Sequence, residues 1–342
     1  MYKVLIASLD NWNTLSEIPY VLKKGGCTVD LLCEKNAWLK ANCYYDNWIE
    51  SKESNDEYRQ HLIEIVNNGS YNWVLLGEEP LIKMMNESII DEELFKKILP
   101  IVKPENRNIL SSKSGLGEVC EKYSILSPGF LSVQGNSLPD VEFICKKINF
   151  PIIIKTDFSW GGLGIKVCND KNELKNELVN IQPNEKVIMQ EYIIGKEIPV
   201  EALFSNGELM SYNVSEILTY DKDAFSYSTR RNYFTNTEIE IQLKILGALI
   251  GINGFANLAY IYSKEKNLYY LIEVDIRPNS WIAYGRFTGN DFSIGIKKMI
   301  KLDGHENETI FASGKINENK VFEVALFHKD LRRCLYKKDF KG

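Results

Sequence analysis

The chain has 342 residues, 44% hydrophobic and 25% charged, close to the globular average, which excludes a disordered chain, a coiled coil and a collagen. At about 150 residues per domain this length predicts two domains, or three small ones. Lys+Arg 41 against Asp+Glu 46 leave a formal net charge of -5, whereas sequence-independent nucleic-acid binding needs a concentrated basic face.

Residues 3–8 (KVLIAS) form a short β run. An amphipathic stretch from about Leu15 to Lys24 follows, closed by Gly25-Gly26 as a helix stop. Residues 28–33 (TVDLLC) are a second strand, 55–67 a helix and 72–76 (NWVLL) a third strand. This alternation predicts a parallel sheet with helices on its faces. The first βα turn, ASLDNWN, contains no glycine, so the region is Rossmann-like but lacks the dinucleotide fingerprint, and no Walker A sequence exists. Pro100 to Ser114 reads as a linker.

The second half has a different texture. Residues 151–155 (PIIIK) are an apolar strand ending in lysine, 157–164 (DFSWGGLG) a glycine-rich turn, and 165–167 a returning strand. A short polar helix spans 170–179, and strands span 187–194 and 198–204 with a turn at Asn206-Gly207. Residues 238–250 have apolar helical spacing, and two long strands, 255–262 and 268–274, are joined by KEKN. Residues 220–234 (YDKDAFSYSTRRNYF) read as a long, aromatic, charged loop. Either it is a solvated surface loop, or it is a lid in which Arg230-Arg231 recognise a carboxylate or phosphate.

No run of 18 apolar residues exists, so no transmembrane helix is expected. The N-terminus has no basic start or cleavage site and reads as a strand, not a signal peptide. Seven scattered cysteines without a CxxC pair predict reduced structural thiols in a cytoplasmic protein. None of the three histidines has an acidic or cysteine neighbour at ligand spacing, which disfavours zinc.

Three motifs carry chemistry. A glycine-rich hairpin brings backbone N–H groups close to a ligand, where they suit phosphate oxygens, and Lys155 just before it adds a point charge. In LIEVDIR, alternation puts Glu273, Asp275 and Arg277 on one strand face. Paired carboxylates suit Mg²⁺, and arginine offers a forked donor to a phosphate or carboxylate. In QEYIIGKE, residues 190–197, a strand end offers backbone groups to a purine, with Glu197 placed for ribose hydroxyls.

The order Lys113, PIIIK, glycine loop, QEYIIGKE, IEVDIR resembles the ATP-grasp superfamily over roughly residues 95–300. The nearest flavours are carboxylate–amine ligases and the synthetase domains of carbamoyl-phosphate synthase. The resemblance implies an α/β protein, α+β in the grasp lobes: an N-terminal Rossmann-like parallel-sheet domain (1–100), then a two-lobed ATP-grasp (101–302). Its small lobe would be about 115–205 and its large lobe about 206–302, with 303–342 as a C-terminal extension.

Residue by residue, the resemblance implies that Lys113 and Lys155 contact ATP phosphates and that Gly161, Gly162 and Gly164 belong to the loop closing over them. Glu191 and Ile193, with Gln190 beside them, fall where backbone groups read adenine; Glu197 binds ribose. Glu273 and Asp275 match the family's Glu-x-Asn magnesium pair, with Asp replacing Asn, and Arg277 steadies the acyl phosphate or acid substrate. The implied cofactors are ATP and Mg²⁺, or Mn²⁺. The implied partners are a small carboxylic acid and an amine, with amino acids as candidates, and a homodimer through the N-terminal domain; no nucleic acid or membrane is implied.

The chain departs from the family at Ala259, where the preceding strand often supplies a further metal ligand; Asn257 lies two residues earlier. Pro278, Asn279, Ser280 and Trp281 after Arg277 disfavour a biotin carboxylase. The expected reaction is carboxylate activation as an acyl phosphate followed by amide formation. The alternatives are carbamoyl-phosphate-synthase-like or carboxylase chemistry, and a non-catalytic ATP-binding protein, which Ala259 favours.

Overall fold

In the computed structural model, residues 2–159, 164–287, 290–304 and 322–337 are described. The N-terminal sheet is parallel. Its strands are β1 (Lys3–Ala7), β2 (Thr28–Cys33), β3 (Asn47–Glu50) and β4 (Trp73–Leu76), in the order β3-β2-β1-β4. β1, β2 and β4 are nearly continuous apolar runs because helices cover both faces. Those helices are α1 (Ile18–Lys24), α2 (Asn55–Asn68), α3 (Glu79–Ser88) and α4 (Glu92–Ile98).

The Pro100–Ser114 segment is tied down. Its Asn106 is fully buried, donates to the Leu249 and Ile250 carbonyls, and accepts from Lys122 Nζ and Tyr123 Oη. A polar segment stays inside the fold when its polar groups are satisfied in this way.

A four-stranded antiparallel sheet follows, built from β5 (Phe130–Gln134), β6 (Ile152–Thr156), β7 (Lys166–Cys168) and β8 (Lys186–Glu191), in the order β5-β8-β6-β7. Its helical companions are α5 (Lys113–Tyr123), α6 (Val141–Lys147) and α7 (Lys171–Leu178). Its core is its own, formed by residues such as Ile144, Ile152, Ile154, Leu174 and Met189.

The third sheet has six strands in the order β13-β12-β9-β10-β11-β14. They are β9 (Lys196–Ser205), β10 (Glu208–Tyr220), β11 (Ser228–Phe234), β12 (Gly254–Ser263), β13 (Leu268–Asp275) and β14 (Phe322–Ala325). Helices α8 (Thr237–Ile250), α9 (Phe292–Leu302) and α10 (Phe327–Lys337) complete this part. Asn206 and Gly207, at φ 49° and 89°, turn β9 into β10, the left-handed pair that a two-residue hairpin needs. The cores of this sheet and of the N-terminal sheet are continuous: Leu5, Val74 and Leu81 share one cluster with Ala202, Phe204 and Ala256.

The expected loop at 220–234 is mostly strand. Residues 228–234 pair with β10, Arg231 opposite Ile217, and only the tip between them is irregular. Thr229, Arg231 and Tyr233 point inward on a period of two. A strand whose buried side is polar gives no apolar alternation to detect. Among the described residues no helix is long and apolar enough to cross a membrane.

Candidate functional site

Glu273 and Asp275 lie on the same face of β13 near its C-terminal end. On the neighbouring strand Ala259 stands opposite Glu273 and Asn257 opposite Asp275; beyond them on β9 stand Pro199 and Glu201. The Asp275 charge, with burial, pushes Glu273 up to about 7. Arg277 relieves the other carboxylate: its Nη2 lies 3.0 Å from Asp275, and its Nε lies 3.1 Å from Glu79. Glu79 opens α3 just past β4, at the carboxyl end of the parallel sheet, where ligand-facing groups of such sheets gather.

The antiparallel sheet supplies the opposite charge. Lys155 on β6 is buried, and desolvation brings its ammonium down to about 8 although Glu273 opposes the shift. Lys113 begins α5, and its Nζ donates to the Ser159 carbonyl at 2.8 Å. Asp157 joins the two elements: it accepts from Ser112 Oγ at 3.0 Å and from the Ser114 N–H at 2.6 Å. A carboxylate at the start of α5 satisfies an otherwise unpaired amide and favours the helix dipole. Gly164 has φ 74°, and a Cβ there would sit 2.7 Å from Thr156 Oγ1. Gly161 and Gly162 lie outside the described residues.

β8 runs beside β6, with Gln190 opposite Ile153 and Glu191 opposite Ile152. It leads through Ile193 and Gly195 into β9. A Cβ at Gly195 would come within 2.3 Å of the Tyr262 carbonyl, so glycine is required for this connection to lie against β12. Glu197 accepts from Tyr220 Oη at 3.3 Å, and desolvation raises its carboxyl.

One cavity of about 500 Å³ brings these groups together. Lys113, Lys155, Gln190, Glu191, Ile193, Glu197, Glu273, Asp275 and Arg277 all line it, whereas Gly164 is not among its lining residues. The sequence reading missed the N-terminal contribution, Trp12, Thr14 and Glu79, and that of Lys329 in α10. The signal for Glu79 was available: LGEEP follows an apolar strand at the end of a parallel sheet.

The first βα turn also explains its missing glycines. Glu78, fully buried, accepts from Ser8 Oγ and from the N–H groups of Leu9 and Asp10. A carboxylate of the chain itself occupies the amides that would otherwise face a phosphate. Burial pushes Glu78 up to about 7 from 4.5. The folded state therefore holds an extra proton between those values. Its contribution to stability is complete below about pH 4.5 and is lost as the pH rises through about 7. Glu79 and Glu273, also raised to about 7, act with the same sign. The urea midpoint is expected to fall between about pH 5 and 8, and Glu78→Gln to flatten part of that fall. An identical profile in the variant excludes Glu78 as a source.

An antiparallel small sheet and a larger sheet enclosing a cavity lined by lysines on one side and a carboxylate pair on the other define the ATP-grasp fold, and the chain has it. Residues 129–274 match the family described as D-ala D-ala ligase C-terminus. A carbamoyl phosphate synthase large chain of Clostridium botulinum (strain Loch Maree / Type A3) is 28% identical over 250 residues, 67% of this chain and 23% of that one. A D-alanine–D-alanine ligase of Prochlorococcus marinus (strain MIT 9215) is 27% identical over 197 residues, 50% of this chain and 54% of that one. The chain thus spans from less than a quarter to about half of the length of these relatives. In fold, it is similar to N5-carboxyaminoimidazole synthetase from Staphylococcus aureus complexed with ADP. The TM-score is 0.66 at 14% identity, covering 90% of this chain and 79% of that one.

Proposed function

We propose that the protein is an ATP-dependent carboxylate–amine ligase. The observation that carries this reading is one cavity lined by Lys113 of α5, Lys155 of β6, Glu273 and Asp275 of β13, and Arg277 just after it. Adenine lies along Gln190, Glu191 and Ile193, and Glu197 takes the ribose. Lys113 and Lys155 hold the phosphates. A carboxylate oxygen of the acid attacks the γ-phosphorus, the bond to ADP breaks, and an acyl phosphate forms. The amine nitrogen then attacks the acyl carbon, phosphate departs, and the nitrogen loses a proton. Arg277 neutralises the acyl phosphate, and Glu79 fixes the direction of its guanidinium. No covalent nucleophile of the protein is required; alignment and charge neutralisation are its contribution.

Among the described residues no cluster of three or more His, Cys, Asp or Glu groups could hold a metal ion. Two neighbouring carboxylates whose charges repel fit a hard divalent cation shared with substrate phosphates. Glu273 and Asp275 would hold Mg²⁺, or Mn²⁺, which supplies charge neutralisation at the phosphates when bound.

A phosphate-release screen with pooled amino acids and small carboxylic acids tests the proposal. Release is expected only when an acid and an amine are both present. Release that needs bicarbonate instead would place carboxylase or carbamoyl-phosphate chemistry here. Ala259, which leaves Glu273 without a carboxylate opposite it, favours a second reading, a non-catalytic ATP-binding protein. ATP binding with no release from any mixture would establish that reading.

A further inference from the structure

The C-terminal segment contributes Lys329 to the cavity wall. β14 extends the large sheet beyond β11, with Arg230 opposite Ala325. The first turn of α10 is locked onto β11: Leu326 N donates to the Thr229 carbonyl at 2.9 Å, and Asp330 accepts from Thr229 Oγ1 at 2.8 Å. Lys329, between these two anchors, lines the cavity. Its Nζ lies 4.8 Å from the centre of the Tyr227 ring.

The surrounding carboxylates are already taken. Asp330 pairs with Arg333, Asp221 with Arg332, Glu323 with Arg230 and Glu201 with Arg231. Among the described residues none forms an ion pair with Lys329. Arg231 also lines the cavity; it lies over the Trp281 ring at 4.3 Å and donates to Ser228 at 2.7 Å. Desolvation and the Arg231 charge hold the Lys329 ammonium below its ordinary value, although the Asp221 charge opposes the shift. A partly buried ammonium over an aromatic ring, whose acidic neighbour Asp221 is already paired with Arg332, calls for an external anion.

We propose that Lys329, assisted by Arg231, binds a non-reacting anionic group, carboxylate or phosphate, on the amine substrate. This rests on the ligase reading for the identity of that substrate. In that reading the reacting carboxylate of the acid belongs to Lys113, Lys155 and Arg277. The amine is left to the cavity wall that β11 and α10 build. An amine that carries its own anion, such as an amino acid, is therefore selected over a neutral amine.

The test is calorimetric binding to the full chain saturated with Mg²⁺ and a non-hydrolysable ATP analogue. One arm uses the L-amino acids against their amides; the other uses O-phosphoethanolamine against ethanolamine, so the two arms tell carboxylate from phosphate. At least one anionic amine is expected to bind about tenfold or more tightly than its neutral counterpart, the scale of a charge-assisted hydrogen bond. Lys329→Met is expected to abolish that preference, and Lys329→Arg to keep it, while the affinity for the ATP analogue serves as the control for folding. The proposal is overturned if no anionic amine binds the wild-type protein, if neutral amines bind equally well, or if Lys329→Met retains the preference. Binding needs no turnover. A protein that binds these amines but releases phosphate with no mixture would sink the ligase reading and leave the subsite standing.

Discussion

Glu273→Gln is expected to lower ATP-dependent phosphate release by at least about 100-fold, the scale of removing one preorganised electrostatic contact from a transition state. The shape of the side chain is preserved and its charge is lost. Stability should move the other way. Glu273 is pushed up to about 7 because Asp275 sits beside it, so a neutral amide there relieves repulsion. Thermal unfolding of the variant is expected at the same temperature as the wild type or higher at about pH 8. Lower turnover with undiminished stability separates a functional carboxylate from a structural one. Asp275→Asn is the paired control. It installs the asparagine of the family's Glu-x-Asn pair and removes the charge that Arg277 holds at 3.0 Å. Turnover within about tenfold of the wild type is expected for it. Phosphate release that survives Glu273→Gln unchanged would refute the metal assignment.

Some of this site could be read from the sequence because its chemistry is local. The lysine of β6, the end of β8 and the alternating charges of β13 are short motifs on apolar strands. Each strand reveals itself by hydrophobicity, and each polar residue by its position at a strand end. Other parts depend on contacts distant in sequence. Glu79 and Arg277 are 198 residues apart, and only the shared core between the parallel sheet and the six-stranded sheet brings them together. β11 was hidden for a different reason. Thr229 and Arg231 take the inward positions that apolar residues usually mark, so the segment looked like a charged loop. Residues 322–337 could not be assigned because β14 is only four residues long and depends on β11 for its pairing.

Glu201→Leu is expected to cost about 3–5 kcal/mol of stability, because it leaves the Arg231 charge buried without its partner. Glu201 is fully buried on β9, Arg231 is 7% exposed on β11, and 2.7 Å separates them across the intervening β10. The pair itself is a poor stabiliser. Glu201 Oε2 has no hydrogen-bond partner, so part of the desolvation penalty is uncompensated. Combining Glu201→Leu with Arg231→Met replaces both charges by apolar groups of similar volume and is expected to recover most of the loss. Urea unfolding of the wild type, both single variants and the double variant measures this directly, with equal slopes required for the comparison. A single-variant loss below about 1 kcal/mol, or a double variant as unstable as the sum of the two, contradicts the argument. The pair also bears on the site. Asn279 donates to Glu201 Oε1 at 3.0 Å and to Asn257 Oδ1 at 2.8 Å, so Glu201 anchors the turn that follows Arg277. The double variant should therefore fold well and turn over poorly. A buried charge pair kept at no gain in stability holds Arg231, and the turn that follows Arg277, in position on the wall of one cavity.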